Sequence, residues 1–170
     1  MKMLTTQING LFQRIAENNE EAIEETARLL AQATIGEGKV IFAGFDELDI
    51  VSTVSLNGIE HFAGAIPYQE GLEIGKEDRV WIMTRSSDDS QALELARKLS
   101  NKFIPFAATA PGSHEDNALF ELATTYISTG LTKGLLPGED GNRIVYPHAI
   151  ANLFIYEAVK IAYDEMLGDD

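Results

Sequence analysis

The chain has no cysteine, which excludes disulfides and thiol catalysis and makes the cytoplasm the expected compartment. Positive charge is scarce: 13 Lys and Arg stand against 27 Asp and Glu, a net charge of −14. A nucleic-acid interface needs a basic surface, so no nucleic-acid partner is expected. No stretch approaches the ~20 apolar residues of a membrane span. The opening MKMLTTQING holds one lysine and no apolar segment, so neither a signal peptide nor membrane contact is expected. Only three histidines occur, at 61, 114 and 148, without zinc-ligand spacing, so no metal is expected and no cofactor is called for. A Gly-rich phosphate fingerprint is also missing, which counts against a nucleotide-binding flavodoxin-like protein.

What is present is ordinary for a globular protein: 170 residues, 45% hydrophobic and 24% charged, enough for one domain with a real core. Apolar spacing predicts two helices, or one broken one, over 1–35. Leu4, Ile8, Leu11, Phe12 and Ile15 make one stripe, Asn18-Asn19 interrupts, and Ala22, Ile23, Ala27, Leu30 and Ala31 make the next. Glu20, Glu21, Glu24 and Glu25 read as its solvated face. Residues 39–130 alternate strand and helix patterns: KVIFAG, a short amphipathic segment Leu48–Leu56, a short strand within HFAGAIP, VWIM, the helix after it, FIPFAATA, a short helical stretch Asn117–Ala123, and TYIST. Leu131–Pro147 has no periodicity and three glycines, the mark of a functional or mobile loop. A strong helix then covers 147–167, with Pro147 suited to its first turn. This alternation predicts an α/β three-layer α/β/α sandwich on a mainly parallel sheet.

The organising stretch is Arg79–Asn101, RVWIMTRSSDDSQALELARKLSN. An apolar run long enough for a buried strand leads into Thr84-Arg85-Ser86-Ser87-Asp88-Asp89-Ser90. Ala92, Leu93, Leu95, Ala96 and Leu99 then recur at helical spacing. In an open parallel sheet such a turn lies at a strand's carboxyl end, where ligands bind, and the helix start adds free N–H groups that attract anions.

The order of the N-terminal helical hairpin, GEGKVIFAG, DRVWIMTRSSDDSQALELARKL and KFIPFAATA resembles the sugar isomerase (SIS) family across most of the chain. IEHFAGA is similar to a Gln-His-Phe-Ala stretch of the phosphoheptose isomerases within it. The resemblance implies a flavodoxin-like fold that binds a phosphorylated sugar, as an aldose–ketose isomerase or as a sensor. It also implies sites formed between subunits of a homodimer or homotetramer, with the apolar N-terminal helices as the contact. Two features set this chain apart. The turn after the first strand carries Asp46, Glu47 and Asp49 where small residues are expected, and the second turn lacks the family's glycine. Both favour the alternative of a non-catalytic sensor or oligomeric scaffold with a degenerate site.

Candidate phosphosugar contacts are Thr84, Ser86, Ser87 and Ser90, which offer hydroxyls and backbone N–H groups, with Arg85 as the counter-charge. The structural alternative makes Ser86 or Ser87 the cap of the next helix, with Asp88 and Asp89 in its first turn. Gly44 and Asp46, in the first turn, are further candidates for holding sugar hydroxyls; otherwise Asp46 caps the following helix. Isomerisation needs a group that moves a proton between adjacent carbons at neutral pH, so His148, opening the last helix, and His61, in the HFA string, are the catalytic candidates. His114 reads as surface. Lys133 and Arg143 on the long loop are available as positive charge.

Overall fold

In the computed structural model, which describes residues 1–168, the chain begins with a 34-residue helix, α1 (Lys2–Ile35), broken at Asn19 (φ −128°, ψ 16°). The cause of the break is chemical. The Asn19 carboxamide donates to the Ile15 carbonyl at 2.8 Å, the acceptor that a regular helix would give to its own backbone N–H. The same side chain donates to the Ser128 carbonyl at 3.0 Å and accepts from the Ser128 N–H at 3.0 Å. The kink in α1 is therefore the place where the helix docks onto a strand.

Five strands follow: β1 (Val40–Gly44), β2 (Ala65–Pro67), β3 (Arg79–Met83), β4 (Phe106–Ala110) and β5 (Thr125–Ser128). They form one sheet in the order β2-β1-β3-β4-β5, every pair parallel. Ser128 lies on the free edge of β5, so Asn19 serves its backbone as a substitute for a missing neighbour strand. Burial on both faces explains why the strands read as continuous apolar runs rather than alternating ones. Val40, Phe42, Trp81, Met83, Ala107 and Ile127 pack toward α1, α2 (Asp49–Asn57) and α5 (His148–Gly168). Ile41, Ala43, Val80, Ile82, Ala108 and Ala110 pack toward α3 (Ser90–Asn101) and α4 (Ala118–Leu122). The three-layer sandwich expected from the sequence is the fold observed.

Local readings are adjusted in four places. HFAGAIP contributes a strand only over Ala65–Pro67, because His61–Gly64 is spent on the bend into the sheet, where Gly64 takes φ +73°. The cap of α3 is Asp89, whose side chain accepts from Ala92 N–H at 2.8 Å, and not Ser86 or Ser87. Asp46 caps nothing; it opens a single 3-10 turn (Asp46–Leu48) whose preceding Phe45 makes no side-chain cap. The segment after β5 is an ordered ribbon of β6 (Leu136–Pro137) and β7 (Arg143–Ile144), paired antiparallel. Arg143 holds it, donating to the carbonyls of Gly134 at 2.9 Å and Leu135 at 2.7 Å. Among the described residues, no helix is long and apolar enough to cross a membrane.

Replacing Asn19 with alanine leaves the edge N–H and C=O of Ser128 without their partner. The variant is expected to lose about 1–3 kcal/mol of unfolding free energy, read from the urea midpoint at unchanged m-value. An unaltered midpoint would show that α1 docks on its apolar stripe alone.

Candidate functional site

Two turns meet at the centre of the sheet. The connection from β1 runs through α2 to β2 on one side, and that from β3 runs through α3 to β4 on the other. The strand order therefore reverses between β1 and β3, and at that switch point the carboxyl ends of neighbouring strands part to leave a crevice. Gly44 ends β1 and Met83 ends β3, side by side in register. A side chain at Gly44 is not possible without moving backbone: its Cβ would lie 2.2 Å from the Leu48 carbonyl oxygen. Gly44 thus folds the first turn tightly over the strand end.

Arg85 spans the crevice. Its Nε lies 3.5 Å from an Asp46 carboxylate oxygen and its Nη1 lies 3.2 Å from Glu47 Oε2, so the second turn is tied to the first through charge. Asp46 sits at φ +54°, a left-handed conformation costly for a side chain, which a tight turn over Gly44 imposes. The three side chains are about half exposed, and such pairs contribute only about 0–1 kcal/mol. The guanidinium is held in place without being locked.

Beside it, Arg85, Ser86, Ser87, Pro111, Gly112, Leu131, Thr132, Tyr146 and His148 line a cleft of about 300 Å³. Ser86 Oγ accepts from the Asp88 N–H at 3.2 Å, which shapes the turn. Thr84 is buried and its hydroxyl donates to the Ser86 carbonyl at 3.0 Å, so it supports the turn from beneath and does not face the cleft. Gly112 packs close to Ser87, since a Cβ there would sit 2.9 Å from Ser87 Oγ. His148 enters from the start of α5, 9% exposed, with its ring stacked on Tyr146 at 6.1 Å between centroids. Burial pushes its pKa below the ordinary histidine value; Glu47 opposes that shift and Arg85 adds to it. The ring is therefore neutral near pH 7, the state in which it accepts a proton.

The structure brings together Arg85, Ser86, Ser87 and His148, which lie far apart in sequence, with Gly44 and Asp46 at the edge. Ser90 lies elsewhere, facing an exposed groove along α3 with Glu94, Arg97 and Lys98. His61 is exposed and precedes Ala65, which pairs with the first residue of β1, so it stands at the amino ends of the strands, the opposite side of the sheet from the cleft. His114 is exposed and stacks on Phe120. Larger hollows exist, one of about 450 Å³ around Glu37, Glu73 and Asp78, but it lies at the amino end, away from the switch point. Sequence reasoning missed Glu47 as the second partner of Arg85, and Tyr146 and Thr132 as cleft walls. The acids of the first turn facing a lone arginine in the second were the available signal for Glu47. Among the described residues, no group of three or more His, Asp or Glu is placed to hold a metal ion.

A parallel five-stranded sheet in this order, a long N-terminal helix and a crevice at the β1/β3 switch point define the fold of the sugar isomerase domain. Solved structures share it over nearly the whole chain. The sugar isomerase domain of an RpiR transcription factor from Sphaerobacter thermophilus is 15% identical, covers 98% of this chain and 96% of its own, and superposes with a TM-score of 0.61. The E. coli CFT073 protein c3406, solved in complex with a phosphosugar, is 16% identical, covers 97% and 94%, and gives a TM-score of 0.59. By sequence, residues 1–167 match the family described as a domain of unknown function, DUF2529, and the chain belongs to that family. Uncharacterized protein YwjG of Bacillus subtilis (strain 168) is 30% identical over 170 residues, 99% of this chain and 98% of that one.

The lowered His148 pKa has a sign that can be checked. Because the native state disfavours the charged ring, the unfolded chain takes up the proton first. The stabilising contribution is complete above pH ~6.5 and is lost as pH falls through that value toward the lower native pKa. The stability of wild type relative to His148→Gln is expected to shrink between about pH 7.5 and about pH 5 in urea unfolding. A difference independent of pH would mean the ring is not held neutral.

Proposed function

We propose that this protein binds a phosphorylated sugar in the cleft at the β1/β3 switch point and interconverts its aldose and ketose forms. The observation that carries the reading is the meeting of Arg85, Ser86 and Ser87 with a buried, neutral His148 around one cleft. The phosphate is assigned to the Ser86 and Ser87 hydroxyls, the N–H groups of that turn and the Arg85 guanidinium, a set of neutral and charge-assisted donors suited to a dianion. Its arrival draws Arg85 away from Asp46 and Glu47, an exchange that the half-exposed pairs make inexpensive. The freed carboxylates then accept from sugar hydroxyls. His148 is assigned as the proton carrier: it removes the proton from the carbon bearing the hydroxyl next to the carbonyl, and returns it to the neighbouring carbon of the enediol. Thr84 and Gly44 shape the two turns. His61 and Ser90, outside the cleft, receive no role.

A sugar isomerase domain that works in a transcription factor and a structural neighbour that holds a phosphosugar support the substrate class. A second reading, a phosphosugar sensor without turnover, is favoured by the Asp46 and Glu47 carboxylates already on Arg85, which weaken anion binding and supply no evident partner acid for His148. In either case a homodimer or homotetramer in the cytoplasm fits the apolar surface of α1 and the acidic, cysteine-free chain.

The test is a thermal-shift series with pentose and hexose phosphates, using inorganic phosphate as control. A ligand at ~100 times its dissociation constant stabilises by about 2.7 kcal/mol, and Arg85→Ala is expected to weaken it by about tenfold or more. Incubation of the bound sugar in heavy water then separates the readings. Deuterium uptake next to the carbonyl, abolished in His148→Gln while binding persists, identifies the isomerase. Binding without uptake identifies the sensor, and no shift with any phosphosugar rejects the proposal.

A further inference from the structure

Three buried polar atoms of α5 have no hydrogen-bond partner among the described residues: His148 Nδ1, Asn152 Oδ1 and Tyr156 Oη. They recur every four residues, so they lie along one side of the helix, each a turn deeper from the cleft. Native interiors leave few such atoms unpaired, and a row of three on a single helix asks for an explanation. Asn152 and Tyr156 are each 1% exposed, so bulk solvent does not satisfy them.

The chemistry of the first two atoms is specific. Asn152 Nδ2 donates to the His148 carbonyl at 2.9 Å, which fixes the orientation of the carboxamide, because a carbonyl accepts from the amide nitrogen and not from its oxygen. The atom left over, Oδ1, is an acceptor only. Side chains one turn apart have Cβ atoms about 5–6 Å from each other, too far for a direct bond here and within the span of one water molecule. A water donating to Asn152 Oδ1 keeps a lone pair for a donor, and the sealed nitrogen of His148 becomes that donor when it carries the proton.

We propose that Asn152 is a positioning residue that, through one buried water, holds His148 as the Nδ1–H tautomer and so leaves Nε2 as the basic nitrogen on the cleft side. The tautomer stands independently of the isomerase reading; only the use made of Nε2 rests on it. The charged groups facing the ring are Glu47 from the first turn and Arg85 from the second, with Tyr146 stacked on it from the approach to α5. None of these contacts the sealed nitrogen, so the choice of tautomer falls to Asn152.

The experiment is a long-range proton–nitrogen correlation on uniformly 15N-labelled full-length protein, with the His148 signals assigned by their loss in His148→Gln. Wild type at mildly alkaline pH is expected to show His148 mainly as Nδ1–H. Asn152→Leu is expected to shift the balance toward Nε2–H. Asn152→Asp keeps the side-chain shape and places a carboxylate at the water, and it is expected to raise the His148 pKa by about one unit or more. A wild-type ring found mainly as Nε2–H overturns the proposal without touching phosphosugar binding, and so does an Asn152→Leu variant with an unchanged tautomer balance. Failure of every phosphosugar to bind, with the Nδ1–H tautomer intact, removes the functional reading and leaves this assignment in place.

Discussion

The constraint on which everything else depends is the handedness of the crossovers in a parallel sheet. Right-handed connections that leave β1 and β3 in opposite directions must place α2 and α3 on opposite faces, as they are. The two turns then diverge, and the crevice between them cannot be filled by either. Backbone N–H groups and short side chains are exposed there whatever the sequence. The sequence decides only what stands around the opening: a glycine that lets the first turn lie flat on the sheet, an arginine that bridges the gap, and a histidine delivered from the far end of the chain.

That delivery explains how α1 and α5 pack. The two helices share one face of the sheet with α2 and bury Leu11, Ile15, Leu30, Ile155, Val159 and Tyr163 between them and the strands. Asn19 kinks α1 onto the edge of β5, and the Phe12 and Phe154 rings stack at 4.5 Å. The Tyr163 hydroxyl meets Thr34 at 2.5 Å and donates to the Ala63 carbonyl at 2.7 Å, pinning the other end of α5 to the amino edge of the sheet. With both ends of α5 fixed, its first residue has little freedom, and His148 is placed by packing on elements remote from the cleft.

Most of the architecture was legible because its signals are local. VIFA, VWIM and FAATA are buried on both faces and spell themselves as apolar runs, and the Asn18-Asn19 interruption marks the kink. Ser86, Ser87, Arg85 and His148 were legible as chemistry-bearing types at a strand–helix turn and a helix start. The rest depended on contacts that no spacing encodes. Asp89, not a serine, caps α3 because the turn is longer than capping preference alone suggests, since both residue types cap well. The β6–β7 ribbon escaped because two-residue strands have no periodicity, and its stability comes from Arg143 reaching back to carbonyls nine and eight residues earlier. His61 was attractive for its neighbours in sequence, yet the bend at Gly64 that feeds β2 places it at the wrong end of the strands.

The acids of the first turn are the feature that most distinguishes this cleft, and their energetics bear on both readings of it. In a chain of net charge −14, a lone exposed arginine beside an anion site would attract stray anions, and pairing it with Asp46 and Glu47 lowers that attraction. The cost falls on every ligand that needs the guanidinium, but unequally. Inorganic phosphate offers nothing to the displaced carboxylates. A sugar phosphate replaces each lost ion pair with hydroxyl donors at the place the acids already occupy. The pair thus acts as a filter that subtracts affinity from bare anions and returns part of it to polyols, which is discrimination by an unfavourable interaction as much as by a favourable one. Glu47 also lies close enough to His148 to oppose the lowering of its pKa. Moving that carboxylate with the ligand couples occupancy of the anion site to the basicity of the histidine, so what weakens the empty site also prepares the full one.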